Sequence, residues 1–188
     1  TNNQLLSQST PVTIRFAIMK SLAVELCEQR IQTSPGYDTQ INDINDAPGD
    51  VVGFFWRYPD AFARVQASMK HAFGIDIGFD NLVQAAHPVR ILPRQKITGD
   101  NRLPETAEEW SKKSPLLKDQ GDGIKAYYKI LISIEDKTNR VIIVDEPESF
   151  LHPPQRRDLG RAVVDLAVED HKQLFISTHD SEFLRGVL

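Results

Sequence analysis

Two carboxylates, Asp145 and Glu146, directly follow a run of four β-branched apolar residues, Val141 to Val144. Such an uninterrupted apolar run predicts a strand that is buried on both faces, as in a parallel sheet covered by helices. Two acids at the end of a buried strand are costly unless something cationic or reactive lies there. Because ligands of open α/β sheets bind beyond the carboxyl ends of the strands, the pattern predicts a Mg²⁺-nucleotide site, with one acid for the metal and the other for a water.

A helix and a second apolar strand are predicted after these acids. Pro153 can begin the helix, since the first helical turn does not need the donor that proline lacks, and apolar residues keep helical spacing to about Asp170. The run Gln173–Thr178 then predicts a strand, and His179 follows it directly. Strand, helix and strand of these lengths form one right-handed crossover between parallel strands. We therefore expect both acids and His179 at one rim of the sheet.

Taken together, these motifs resemble the C-terminal half of an ABC-type ATPase. They are the strand that ends in Asp145-Glu146-Pro147-Glu148, the segment Leu151-His152-Pro153, the helix, and the strand that ends in Thr178-His179. Within that class they are similar to the OLD-like branch, which is related to the RecF and SMC ATPases, because His152 stands where ABC transporters usually have aspartate. The resemblance covers residues 117–188.

The resemblance implies a role for each of five residues. Asp145 would hold Mg²⁺ through water, Glu146 would orient or deprotonate the attacking water, and His179 would contact the γ-phosphate of ATP. Leu151 and His152 would lie in the D-loop. The cofactors implied are therefore ATP and Mg²⁺.

A turn with two glycines, Gln120-Gly121-Asp122-Gly123, precedes another predicted helix. Glycines before a helix let backbone donors and the positive helix end approach an anion. By position the turn resembles the ABC signature motif, which implies that these four residues contribute to the nucleotide bound by another subunit. Gly121 replaces the usual serine, however, and Asp122 would repel a phosphate unless it points away. An ordinary turn without a ligand is the alternative.

The sequence lacks the Gly-x-x-x-x-Gly-Lys-Ser/Thr loop that cradles the β- and γ-phosphates in P-loop ATPases. We therefore expect these 188 residues alone to bind nucleotide poorly or not at all. The favoured interpretation is that they are the C-terminal part of a longer ATPase whose P-loop lies upstream, because the acids and the histidine are intact. A degenerate module is the alternative.

The N-terminal part of the chain is predicted to be accessory. Val12 to Ile31 has helical spacing of apolar residues, and residues 32–50 are rich in turn formers. A helix is predicted over Ala61–Phe73. Residues 75–79 alternate as a strand does, and Val89–Leu92 predicts another strand.

The sequence thus predicts an α/β protein, a P-loop NTPase of ABC-ATPase architecture, present in part. Residues 116–188 would form the C-terminal half of the ATPase core around a parallel βαβ unit. Residues 1–115 would form an accessory or lid segment of helices and antiparallel strands, where OLD-like and SMC-like ATPases carry a lid.

Composition excludes several other classes. The net charge is −4, and no stretch has the dense Lys and Arg of a nucleic-acid footprint. The pairs Lys112-Lys113 and Arg156-Arg157 favour solvated surface charge. A single cysteine, Cys27, forms no internal disulfide and suits a reducing cytoplasm. The sequence has no zinc-ligand spacing, no signal peptide and no apolar run long enough to span a membrane.

ATP hydrolysis by a head-to-tail homodimer is the function that the resemblance implies. The setting would be antiphage defence or DNA repair, where the ATPase gates a nuclease domain or a separate nuclease subunit; DNA binding itself is not visible in the sequence. Two alternatives stay open. One is a non-hydrolysing scaffold of the same fold. The other is a metal-dependent nuclease that uses Asp145, Glu146 and Glu148, although Glu148 is otherwise predicted to be structural or supporting.

Overall fold

The computed structural model describes residues 23–26, 53–55, 58–80, 88–92, 114–137 and 139–188. Along the chain the elements are β1 (Ala23–Leu26), α1 (Pro59–Phe73), β2 (Asp76–Phe79), β3 (Val89–Leu92), a 3-10 turn (Leu117–Asp119), α2 (Asp122–Glu135), β4 (Val141–Asp145), α3 (Pro153–Glu169), β5 (Gln173–Ser177) and α4 (Ser181–Val187). Within these ranges, no helix combines the length and the hydropathy that a bilayer crossing needs.

The central sheet has the strand order β1-β4-β5, and both pairs of neighbours are parallel. The connection from β4 through α3 to β5 is the predicted crossover. Its register places Val141 beside Gln173 and Asp145 beside Ser177, so both strands end at the same edge of the sheet. The prediction of a parallel βαβ core is confirmed.

The helix predicted over Val12–Ile31 is wrong at residues 23–26, which form β1 and pair with β4. Leu22, Val24 and Leu26 alternate along the chain as strand residues do, so the sequence carries both periodicities. Pairing with a neighbouring strand decides between them, which a local pattern cannot show. The rest of that predicted helix and the predicted loop over 32–50 lie outside the described residues.

In the part of the chain that the structure describes, strand β4 is covered on one face rather than on both, so the prediction of two-sided burial is wrong there. Ile142 and Val144 are buried in the hydrophobic core together with residues of α2 and α3. Ile143, in contrast, is 40% exposed, and Phe175 beside it on β5 is 58% exposed. The continuous apolar run therefore conceals an alternation in burial that only the packing of the helices creates.

The predicted helix and antiparallel strands of the N-terminal part are confirmed where the structure describes them. Helix α1 buries one apolar side, including Phe62, Val65 and Met69, and ends at Gly74, whose φ of 66° is left-handed. Glycine adopts this conformation at no steric cost. Strands β2 and β3 pair antiparallel.

An ion pair with one buried partner connects α1 to the core. Arg64 donates from Nε and Nη2 to the two carboxylate oxygens of Glu135, at 2.7 and 2.5 Å. The Glu135 side chain is fully buried, so it depends on this partner. Arg64 also contacts Glu169 at 3.3 Å. The pair thus fixes α1 against the C-terminal ends of α2 and α3.

Helices α3 and α4 approach each other closely through two glycines. A Cβ on Gly160 would meet the Phe183 carbonyl oxygen and, at 3.2 Å, the Gly186 Cα. A Cβ on Gly186 would meet the backbone of Arg157 and Arg161. Because α4 begins two residues after His179, this contact helps to set where the histidine lies.

Candidate functional site

The carboxyl ends of β4 and β5 carry the residues that the sequence singled out. Asp145 is the last residue of β4, exposed, and in register with Ser177. The Glu146 amide donates to the Ser177 carbonyl at 2.9 Å. The φ of Glu146 is 46°, in the left-handed region that few non-glycine residues occupy. This turn takes the chain off the strand immediately after Asp145.

Glu146 and His179 lie together at this edge, although 33 positions separate them in sequence. The His179 Nδ1 lies 3.5 Å from the Glu146 Oε1 and 3.8 Å from the Glu148 Oε1. The side chains of His179 and Glu146 are 79% and 54% exposed, so a ligand can reach both. The convergence expected from the crossover is therefore observed, while the role of each residue stays a prediction.

Glu148 is the acid whose position the sequence did not reveal. It is 5% exposed, whereas Asp145 and Glu146 are exposed. Thr178 Oγ1 donates to its Oε1 at 2.8 Å, and its Oε2 is buried without a hydrogen-bond partner among the described residues. The sequence signal for Glu148 was its place two residues after Glu146. Its contact with Thr178, the residue after β5, is seen only in the structure.

Asp180, the residue after His179, forms a second polar cluster with Arg156. The Asp180 Oδ1 accepts from the Phe183 amide at 2.8 Å and so caps α4. Its Oδ2 accepts from Arg156 Nη1 at 2.6 Å, while Arg156 Nε donates to the Leu151 carbonyl at 2.7 Å. Arg156 thus joins the turn after β4 to the start of α4. The prediction of solvated surface charge did not include this ion pair.

The pKa of Asp180 reflects this environment. Burial by itself raises the pKa, but the hydrogen bonds from the Phe183 amide and from Arg156, together with the charge of Arg156, outweigh that effect. The net result is a pKa below the ordinary value of 3.8, because these partners stabilise the ionised carboxylate.

The D-loop residues of the resemblance, Leu151 and His152, differ in exposure. Leu151 is 4% exposed and belongs to the core. His152 is exposed and directly precedes α3. Only His152 of these two therefore has a side chain available for contact with another molecule.

The glycine turn lies at the start of α2, with Gly121 as the N-cap residue. Apart from its two chain neighbours, no described residue has an atom within 4 Å of a Cβ built on Gly121, so this position is open. A Cβ on Gly123 would lie 2.5 Å from the Phe150 carbonyl oxygen, so Gly123 allows α2 to pack on the turn after β4. Local packing therefore explains why residue 123 is glycine, and no ligand is needed for that explanation.

The other two residues of the turn have local partners. The Asp122 carboxylate lies 2.8 Å from Lys125 Nζ, one turn further along α2. The Gln120 side-chain amide donates to the Leu116 carbonyl at 3.0 Å. Lys125 offsets the negative charge of Asp122, which reduces the repulsion that Asp122 would exert on a phosphate.

A magnesium nucleotide fits the oxygen donors at the end of β4. Mg²⁺ is usually bound by one or two carboxylates, waters and the phosphates of a substrate, rather than by a cage of protein ligands. The exposed carboxylate of Asp145, beside Ser177, matches that requirement. The described ranges contain no group of three or more His, Cys, Asp or Glu side chains arranged to hold a metal. The nuclease alternative, which needs such a group, gains no support from the geometry.

The fold and the residues at the carboxyl edge of the sheet define the class of protein. The chain is a mixed α/β protein with a parallel sheet, and it corresponds to part of a P-loop ATPase. Residues 86–185, just over half of the chain, match the family described as "AAA domain, putative AbiEii toxin, Type IV TA system". The chain belongs to this family. The family agrees with the expected ATPase class, while membership of the OLD-like branch stays a prediction.

Among solved structures, the chain is similar to the Smc head domain with an extended coiled coil, bound to the C-terminal domain of ScpA, derived from Pyrococcus furiosus. The identity is 10% and the TM-score 0.48; the alignment covers 72% of this chain and 32% of that chain. The chain thus spans about a third of the length of that structure. No curated protein matches the chain.

Proposed function

We propose that the protein hydrolyses ATP with Mg²⁺, and that its active site forms at the carboxyl end of β4 and β5. The observation that carries this proposal is the pair of Glu146 and His179, 3.5 Å apart and exposed, next to Asp145 at the end of parallel strands. Membership of an AAA domain family supports the ATPase class.

Each side chain has one task in this proposal. Asp145 holds the metal through water, Glu146 accepts a proton from the attacking water, and His179 contacts the γ-phosphate. Bound Mg²⁺ would neutralise charge on the phosphates. Catalysis of this kind depends mostly on positioning and on charge stabilisation, so fixed strand ends suit it.

A second copy of the chain completes the site in the same proposal. The open position at Gly121 and the amides at the start of α2 would approach the nucleotide of the other subunit. His152, exposed before α3, would contact that subunit. The phosphate-binding loop would come from residues upstream of this sequence. Two copies would therefore enclose two nucleotides in a head-to-tail dimer.

The biological setting that we propose is control of DNA processing, in antiphage defence or in DNA repair. The ATPase would gate a nuclease, either as a domain of the same protein or as a separate subunit. The resemblance to the OLD-like branch supports this setting. The family description names a putative toxin of a type IV TA system, which fits defence better than repair.

The substitution Glu146→Gln in the full-length protein tests the proposed chemistry. Glutamine keeps the size of the side chain but cannot accept the proton, so we expect ATP turnover to fall by roughly 10²-fold or more. Nucleotide-driven dimers should persist, because binding does not need the base. Steady-state phosphate release and light scattering measure the two effects.

The matched control for that experiment is Asp165→Asn, the corresponding acid-to-amide change at an exposed site of α3. It should leave turnover near the wild-type value. Normal hydrolysis by the Glu146 variant would show that Glu146 is not the base.

A further inference from the structure

Glu148 belongs to the turn after β4, and its buried carboxylate contacts Thr178, the residue that follows β5. Its Oε1 contacts Thr178 Oγ1 at 2.8 Å and lies 3.8 Å from His179 Nδ1. The residue is only 5% exposed, and its Oε2 has no hydrogen-bond partner among the described residues. A buried carboxylate without full compensation is costly, so its presence calls for a reason.

The direction of the hydrogen bonds follows from their geometry. The Thr178 hydroxyl oxygen accepts from the Asp180 amide at 3.1 Å. Its one hydrogen is thus free for Glu148 Oε1, which can only accept when ionised. Because Thr178 and Asp180 flank His179, these two bonds fix the backbone that carries the imidazole.

Two carboxylate oxygens lie on the Nδ1 side of the imidazole. Glu146 Oε1 and Glu148 Oε1 lie 3.5 and 3.8 Å from the same ring atom, Nδ1. Asp180, the residue after His179, is paired with Arg156, and the exposed carboxylate of Asp145 lies at the end of β4 in register with Ser177. With Nδ1 toward the two acids, Nε2 on the other side of the ring faces away from them, and the side chain is 79% exposed.

We propose that Glu148 is a positioning residue for ATP hydrolysis. It holds the Thr178–Asp180 backbone and keeps Nδ1 of His179 toward the acids, so that Nε2 faces the γ-phosphate. This role rests on the proposed function, since it acts through the histidine assigned to the phosphate. Glu148 itself contacts neither the substrate nor the metal.

The kinetic test uses Glu148→Gln, Thr178→Val and Thr178→Ser in the full-length protein. Glutamine retains an acceptor for Thr178 and a similar shape, so the variant should fold while losing the charge beside His179. We expect kcat to fall about 10- to 100-fold, the range known for residues that orient a metal-ligating histidine, with KM for ATP within about threefold of wild type. Thr178→Val should lose activity similarly. Thr178→Ser, which keeps the hydroxyl, should recover most of that loss.

A second measurement does not depend on activity. The ring resonances of His179, assigned with His179→Gln, are recorded by NMR without nucleotide. They should shift in Glu148→Gln and Thr178→Val, and much less in Thr178→Ser. A uniform loss of folding would instead change signals throughout the spectrum.

The outcomes separate this inference from the proposed function. If the wild type hydrolyses ATP while Glu148→Gln retains kcat and the His179 signals, the positioning role is wrong and the ATPase stands. If the wild type does not hydrolyse ATP, the proposed function fails. Unchanged His179 signals in Glu148→Gln would then also overturn the placement of the ring by Glu148.

Discussion

At the scale of single residues, the site combines a strained backbone with a buried acid. Glu146 has a φ of 46°, a conformation that costs about 1–3 kcal/mol for a residue with a Cβ. The surrounding turn holds it there, through the hydrogen bond from its own amide to Ser177 and the bond from the Ser149 amide to its carbonyl. The strained backbone conformation of Glu146, the proposed base, is thus stabilised by hydrogen bonds to the neighbouring strand and within the turn.

Gly123→Ala should destabilise the protein. A Cβ would lie 2.5 Å from the Phe150 carbonyl oxygen, which belongs to the backbone and cannot rotate away. Overpacking of this kind costs about 1–3 kcal/mol, more than the 0.5–1 kcal/mol or so that alanine usually gains over glycine in a helix. Urea denaturation measures the change in unfolding free energy.

Gly121→Ala is the control for that substitution. Its position has no neighbour within 4 Å and a φ of −59°, so the unfolding free energy should stay within about 1 kcal/mol of wild type. Equal effects at the two glycines would contradict the close contact at Phe150.

Asp180→Asn tests the electrostatic contribution of the Asp180–Arg156 pair. The pKa of Asp180 is below its ordinary 3.8 in the folded protein, so the carboxylate stabilises the fold fully above that ordinary value. Its contribution is lost as pH falls through the lowered folded-state pKa. Asparagine still caps a helix but cannot carry the charge. The loss of stability caused by Asp180→Asn should therefore be larger near about pH 7 than near about pH 3.

The measurement is urea unfolding of wild type and variant at both pH values. Asp165→Asn removes the same charge from an exposed site of α3 and gives the effect of net charge alone. A loss of stability for Asp180→Asn that is independent of pH would contradict the assigned ion pair.

At the scale of elements, the position of α4 controls the histidine. Helix α4 starts at Ser181, directly after the cap residue Asp180, and it packs on α3 through Gly160 and Gly186. The crossover fixes β5, and the glycine contact fixes the helix after it. His179 is therefore held from both sides by secondary structure.

Gly160→Ala should separate α3 from α4. The added methyl group would meet the Phe183 carbonyl and the Gly186 Cα, both of them backbone atoms. We expect the unfolding free energy to fall by about 1–3 kcal/mol and ATP turnover to fall with it. Val168→Ala, at a site of α3 that is 68% exposed, should change stability by less than about 0.5 kcal/mol. Wild-type stability of the Gly160 variant would rule out the close contact as described.

At the scale of the whole molecule, the described residues contain the proposed hydrolytic edge of a nucleotide site, and the sequence contains no phosphate-cradling loop. We therefore expect the 188-residue chain to bind Mg-ATP with a Kd above about 1 mM, a binding free energy weaker than about −4 kcal/mol. A longer protein that contains the expected upstream loop should bind in the micromolar range. Isothermal titration calorimetry on both proteins makes the comparison.

Two results would contradict that expectation. Micromolar binding by the 188-residue chain would mean that the site does not need a P-loop. Failure of the longer protein to bind Mg-ATP would favour the non-hydrolysing scaffold over the ATPase.

The sequence predicted the C-terminal half well because its signals are local and strong. Helix α3 has a clear helical periodicity, strands β4 and β5 are short apolar runs with clear end signals, and a crossover of this length leaves little topological choice. The prediction failed at β1, where four residues fit either periodicity, and at the exposed Ile143. In both cases the outcome depends on neighbours that are distant in sequence.

What the sequence alone determined is the set of chemical groups at the sheet edge, because strand direction and the side-chain types at strand ends follow from local pattern. Only the tertiary structure decided which of the three acids is buried, that Thr178 holds Glu148, and that Arg156 connects two turns. These contacts join residues about 24–30 positions apart, and their geometry depends on how α3 and α4 pack against the strands. Packing of that kind is set by the shapes of many side chains together, so no single segment of the chain encodes it.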